Sequence, residues 1–354
     1  MSQKIVTYKN IHNRFKFNGI HLNLNQIKRV AVSYIKEGEE YEKSIFRFLL
    51  DWFDEKPYIE VQTSGTTGKP KRIKIEKQFV IASVLATGDF LNLKPGDSTL
   101  LCLSADYIAG KLMLVRALIL GLELDAVAPS SSPFKLITRN YDFVAMIPMQ
   151  VEESLSQLNQ MKTLIIGGSE VHSILKDKLQ NSAVNIFETY GMTETVSHIA
   201  MKRIENNYFE ALPNVIFSKD DRGCLIIDAP KVTATRIITN DLVELISQRE
   251  FIWKGRFDNV INSGGIKLSP EDIESKLLGK IQNRFFIGSQ YDDKLGQKLI
   301  LIIESNIDMN LEAKVFENLF KYEVPKKIYY INKFVETKTN KINRKATLQK
   351  IKVV

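Results

Sequence analysis

A chain of 354 residues, 44% hydrophobic and 25% charged, has the composition of an ordinary soluble enzyme and is long enough for two domains. Two cysteines, Cys102 and Cys224, exclude a disulfide framework and suit a reducing cytoplasm, and four histidines without ligand spacing exclude a zinc site. The net charge of +8 is spread over scattered lysines, which suits small anions locally and argues against nucleic acid, and neither a bilayer-length apolar run nor a secretion signal is present.

Residues 1–57 show little periodicity beyond a helix over 42–53. Residues 58–61 then read as a strand, and after the loop 63–71 the run 72–76 alternates polar and apolar like a second strand. A helix over 78–91 stops at the turn Lys94-Pro95-Gly96-Asp97. Residues 99–103 read as a strand, 110–120 as a buried helix, and 142–147 and 163–166 as apolar strands. Apolar strands alternating with helices predict an α/β domain with a mostly parallel sheet covered by helices, and ligands beyond the carboxyl ends of its strands. Gly167-Gly168 and Tyr190-Gly191 fall at that edge.

The pattern changes near residue 255. Ser269, Pro270, Glu271 and Asp272 make a strong helix start: a capping hydroxyl, proline at the first position, then acids in the first turn. Strands over 284–288 and 298–304, a helix near 310–322 and a strand over 327–331 complete a small α+β module. We place the boundary near Asp258, giving a large N-terminal domain, 1–257, and a small C-terminal one, 258–354.

The loop between the first two strands concentrates the chemistry. Thr63, Ser64, Gly65, Thr66, Thr67, Gly68 and Lys69 supply hydroxyl donors, backbone N–H groups free of Cβ obstruction and a mobile cation. That combination suits a polyphosphate. It is not a Walker loop, because Lys69 is followed by Pro70 and a strand instead of Ser or Thr and a helix.

This loop resembles the phosphate-binding signature of the adenylate-forming (AMP-binding) superfamily, whose other motifs follow in order from Val61 to the C-terminus. The resemblance implies that superfamily's fold, with a mobile small domain, and the substrates ATP, Mg2+ and coenzyme A. It implies that Thr193 and Glu194, in Tyr190-Gly191-Met192-Thr193-Glu194, meet the α-phosphate and Mg2+, with Tyr190 beside adenine and Gly167 and Gly168 nearby. Asp241 would bind the ribose hydroxyls, although Asn240 stands where the family has glycine. Arg256 would lie near the ribose, Asp258 at the interdomain hinge, and Gly264-Gly265 beside the pantetheine tunnel.

Lys341 matches the family's C-terminal catalytic lysine by its spacing from Thr337 and Arg344, with Asn340 and Val335 replacing the usual glycine and proline. Within the superfamily, residues 107–113 and 190–200 are similar to the o-succinylbenzoate–CoA ligases of menaquinone biosynthesis. Arg116 lies in the segment where those ligases have an arginine near the substrate's benzoate carboxylate, and Lys111 and His198 are further candidates for that pocket. Only about sixty residues precede the phosphate loop, fewer than is usual in the family. A CoA ligase for another aromatic or short aliphatic acid and a non-catalytic adenylate-binding protein are the alternatives. The sequence leaves the oligomeric state open, a homo-oligomer included.

Overall fold

A computed structural model describes residues 6–62, 72–336 and 342–351. Its first helix, Leu24–Glu37, is one that the periodicity did not reveal. The signal was its cap: the Gln26 N–H donates to Asn23 Oδ1 at 3.0 Å, and the Asn23 N–H donates back to Gln26 Oε1 at 2.9 Å. The expected helix Glu40–Trp52 follows and buries Ile45, Phe46, Phe48, Leu49 and Trp52. Strands Tyr58–Gln62 and Arg72–Glu76 then pair antiparallel as a separate hairpin, joined by the loop of hydroxyls and glycines.

Among the described residues, thirteen strands form one large mixed sheet. One half is parallel, in the spatial order Lys16–Phe17, Glu123–Ala126, Ser98–Leu101, Tyr141–Met146, Met161–Ile166 and Asn185–Gly191. The inner strands Tyr141–Met146 and Met161–Ile166 are largely apolar because helices cover them. Helix Ile108–Leu120 is almost wholly buried and packs on Lys77–Leu91.

From Asn185–Gly191 the sheet continues antiparallel through His198–Arg203, Phe209–Ala211, Glu250–Arg256, Ile237–Ser247, Cys224–Asp228 and Ile216–Lys219. Buried and exposed residues alternate along part of this half, as in 237–244, so its strands lack the continuous apolar runs of the parallel half. Asn185–Gly191 is therefore where parallel pairing meets antiparallel pairing.

After Arg256 the chain enters a second sheet, made of Ile261–Ser263, Ile266–Leu268, Phe285–Asp292, Gly296–Glu304 and Lys327–Ile331, with its own buried cluster around Ile273, Leu277, Leu299 and Leu301. Ser269 caps helix Pro270–Leu277 as expected, accepting from the Asp272 N–H at 3.4 Å. The helix expected near 310–322 is absent; that region has only a short 3-10 turn, Ala313–Phe316. Leu311, Val315, Phe316 and Leu319 still pack on the core, but by a tighter path whose N–H groups bond three residues back, as Val315 does to the Glu312 carbonyl. Tertiary packing satisfied the helical spacing without a helix. No described helix is long and apolar enough to cross a membrane.

At the base of the hairpin, Lys77 has only 1% of its side chain exposed, and its Nζ donates to Asp54 Oδ1 at 2.7 Å and to the Asp54 carbonyl at 3.0 Å. Asp54 is 30% exposed and can be hydrated, whereas Lys77 cannot. Removing the acid should therefore hurt more than removing the base. Asp54→Ala strands a buried ammonium and should cost about 2–3 kcal/mol, whereas Lys77→Met should cost about 1 kcal/mol or less, both measured by urea unfolding. The reverse order would show that the pair does not hold the hairpin base in this way.

Candidate active site

The carboxyl edge of the parallel strands is shaped by close backbone approaches. Gly167 follows Met161–Ile166, and a Cβ there would lie 2.6 Å from Thr189 Oγ1. Gly191 ends its strand where a Cβ would lie 2.3 Å from the Ser197 carbonyl oxygen. After Gly191 comes the turn Thr193–Thr195, held by the Thr195 hydroxyl: Oγ1 donates to the Ser197 carbonyl at 2.7 Å and accepts from the Met192 N–H at 3.0 Å. Val196 completes it at φ 67° and ψ −51°, the centre of a tight turn closed by the Ser197 N–H on the Thr195 carbonyl, a positive φ that a β-branched residue adopts only under constraint. The turn leaves Thr193 half-buried and Glu194 exposed at the sheet edge.

Asp241 anchors this edge. It is only 6% exposed, and each of its oxygens holds one donor: the Tyr190 hydroxyl at 2.7 Å on Oδ2 and the Trp253 indole N–H at 3.2 Å on Oδ1. Burial and the neighbouring carboxylate raise the Tyr190 phenol above its usual pKa, so it stays a donor. Asp241 and Arg256 are cross-strand partners, and Arg256 Nη1 lies 3.8 Å from Asp241 Oδ1. Arg256 also grips Asp258 with two bonds of 2.9 Å, linking this carboxylate to the start of the second sheet. Tyr190 is set by Phe209 and Phe251, at ring distances of 5.7 and 5.1 Å.

Beside this edge lies a cavity of about 320 Å3 lined by Ser83, Ala86, His198, Leu212 and Val232 among others. The Thr87 hydroxyl lies 3.0 Å from both the Ser83 carbonyl and His198 Nε2, so it holds the imidazole as donor or acceptor according to the tautomer. Burial, and then the charge of Arg116, push the His198 pKa well below the usual imidazole value. Arg116 is 3% exposed, and burial lowers its pKa to about 10. Its Nε has no hydrogen-bond partner, its Nη1 reaches only Met113 Sδ at 3.5 Å, and no carboxylate among the described residues pairs with it. A buried, unpaired guanidinium is costly and calls for an anion.

Lys111 does not join this group. It lies five residues before Arg116, about 140° around the helix, and donates to the Ala105 and Asp106 carbonyls beside the Phe48 ring. Thr63, Ser64, Gly65, Thr66, Thr67, Gly68, Lys69 and Lys341 lie outside the described residues, but their flanks are in place. Gln62 pairs with Arg72, and Glu336 bridges Ile342 on either side of the lysine segment. Arg344 then fixes the final helix with two 2.7 Å bonds to Glu274. Gly264 and Gly265, both at positive φ, make the two-residue turn between Ile261–Ser263 and Ile266–Leu268. Sequence reasoning missed Trp253, Thr87 and Glu274. Of these, only Glu274 left a trace, in the amphipathic pattern of its helix.

The AMP-binding enzyme family model matches residues 54–220. The chain is 25% identical over 339 residues to a 2-succinylbenzoate–CoA ligase of Bacillus cereus, covering 82% of this chain and 69% of that protein. It is 35% identical to the solved acyl-CoA synthetase (AMP-forming)/AMP-acid ligase II-like protein from Dyadobacter fermentans DSM 18053, covering 92% of this chain and 98% of that one, with a TM-score of 0.62. It also shares the fold of the o-succinylbenzoate coenzyme A synthetase from Bacillus subtilis, solved with ATP and a magnesium ion: TM-score 0.72, 19% identity, and coverage of 93% and 84%. The fold is that of an adenylate-forming enzyme. The chain belongs to the AMP-binding enzyme family, as an AMP-forming acid–CoA ligase.

Neutral His198 has a consequence for stability. Its folded pKa lies below the unfolded value of about 6.5, so only the unfolded chain takes up a proton as pH falls past that value. Its contribution is present above about pH 6.5 and declines by up to about 1.4 kcal/mol per pH unit below it, until the folded pKa is reached. His198→Gln should flatten this acid limb in denaturant titrations between about pH 7 and 5. An unchanged limb would place a charged imidazole in the fold.

Proposed function

We propose that this ligase converts o-succinylbenzoate to o-succinylbenzoyl-CoA in menaquinone biosynthesis, acting in the cytoplasm. Arg116 carries this reading. The substrate has one carboxylate to activate and a second that must be recognised, and the buried Arg116 guanidinium, near enough to His198 to lower its pKa, supplies a cation with no carboxylate partner among the described residues. The curated relatives named for the same activity support the assignment.

In the first step a substrate carboxylate oxygen attacks the α-phosphorus of ATP, the bond to the β-phosphate oxygen breaks, and pyrophosphate leaves. Asp241 would hold the ribose, Tyr190 and the Gly167-Gly168 turn would flank the base, and Thr193 would donate to the α-phosphate. Glu194 suits Mg2+, because one exposed hard oxygen donor together with phosphate oxygens and water is how that ion is usually held. Magnesium would supply charge neutralisation to the phosphates. Anion meets anion in this step, so rate comes from positioning and from the positive charge of the 63–69 loop and Lys341.

The domain spanning 258–354 would then turn about Asp258 and carry Lys341 away. Gly264 and Gly265 would border the CoA thiol, whose sulfur attacks the acyl carbon while AMP departs.

Incubation with ATP, Mg2+, CoA and a panel of acids, scoring AMP and thioester, tests the assignment. o-Succinylbenzoate should give the highest kcat/KM; a clear preference for an aromatic or short aliphatic monocarboxylate would reject it. Arg116→Met should raise the KM for o-succinylbenzoate by about 30- to 100-fold with little change for ATP, the loss expected for one charge-assisted pair. Equal change in both would remove Arg116 from acid recognition. Lys341→Ala should slow adenylation by roughly a hundredfold or more while thioester formation from pre-made acyl-adenylate persists. Equal damage to both half-reactions would end that role.

A further inference from the structure

Trp253 reaches Asp241 only because its strand is irregular. In the pairing of Ile237–Ser247 with Glu250–Arg256, Asp241 faces Arg256 and Leu242 faces Gly255, but Val243 faces Trp253. One residue, Lys254, is left over as a bulge. By strict alternation Trp253, three residues from Arg256, would project to the opposite face of the sheet. The bulge turns it back to the side of Asp241 and Arg256, the re-aiming that bulges commonly perform. Gly255 makes this possible at φ 120°, and a Cβ there would lie 2.7 Å from Ser269 Oγ.

The result is a carboxylate with two donors that cannot reverse. An indole N–H only donates, and the phenol of Tyr190 stays protonated. An ionised carboxylate has about four acceptor positions, so with one fixed donor on each oxygen two remain. Two free acceptors held in a fixed plane match the two hydroxyls of a vicinal cis-diol.

We infer that Trp253 is a positioning residue for the nucleotide's ribose, acting through Asp241 to make the site select the cis-diol over a sugar lacking one hydroxyl. This rests on the proposed placement of ATP ribose at Asp241. It adds that the bulge and its tryptophan set the selectivity.

The test compares ATP with 2′-deoxy-ATP in acid-dependent AMP formation by the wild-type enzyme and by Trp253→Phe, which keeps an aromatic ring and removes the donor. The KM for ATP should rise about 5- to 10-fold, the scale of one hydrogen bond to a charged group, with kcat within about twofold. The KM for 2′-deoxy-ATP should move less, so that discrimination narrows. A variant that loses kcat, or loses both nucleotides equally, would assign Trp253 a structural role and overturn the inference.

If no acid supports turnover, the same four affinities measured by calorimetry decide the point independently of the proposed activity. A protein that binds neither nucleotide would defeat both readings. The wild-type protein offers a check that does not depend on the variant folding. The chain has two tryptophans, and Trp52 is fully buried in helix Glu40–Trp52. Emission should therefore respond to ATP more than to 2′-deoxy-ATP at equal saturation, and identical responses would contradict the assignment.

Discussion

The Tyr190 hydroxyl and the Trp253 indole close on the Asp241 carboxylate at 2.7 and 3.2 Å, and three strands meet at that acid. Tyr190 comes from the strand where parallel pairing gives way to antiparallel pairing, Asp241 from a strand four places further along in the antiparallel half, and Trp253 from the bulged strand beside that one. A buried carboxylate needs such partners, because leaving its charge unpaired in the fold would cost several kcal/mol or force it to take up a proton. The same requirement ties the two halves of the sheet together. Arg256 extends the tie to Asp258, where the chain passes toward its second sheet.

The acid side is built on the opposite principle. Asp241 has its donors supplied by the protein, whereas Arg116 is buried with its Nε unanswered. The histidine beside it is kept neutral by burial and by the guanidinium itself, so His198 does not compete as a second cation for an anion. The described residues leave a polar deficit here that they do not satisfy among themselves. In the proposed reaction the substrate's second carboxylate removes it, so recognition draws on a cost already present in the free protein.

Much of the parallel half was legible because strands covered on both faces must be apolar throughout, as 141–146 and 161–166 largely are. The antiparallel half was not read, since its alternating residues resemble loops and short turns when no single face dominates. Ser269 with Pro270 announced a helix, and the structure has it. The spacing of Leu311, Val315 and Leu319 announced another, and packing used those residues without one. Among site residues, Tyr190, Asp241 and Arg256 were readable as motif positions, and the structure brings them together. Trp253 was not readable, because the bulge that aims it depends on which residue pairs with which, and one strand alone does not encode its partner's register. Lys111 had the right chemistry and the wrong face of its helix.

In the proposed reaction Asp241 and the surrounding edge hold ATP so that a carboxylate can displace pyrophosphate before CoA takes part. Isotope exchange between labelled pyrophosphate and ATP, run with o-succinylbenzoate and Mg2+ in the absence of CoA, measures that step alone. Exchange should depend on the acid and be lost in Asp241→Ala. Exchange that needs CoA, or release of inorganic phosphate with no exchange, would contradict it.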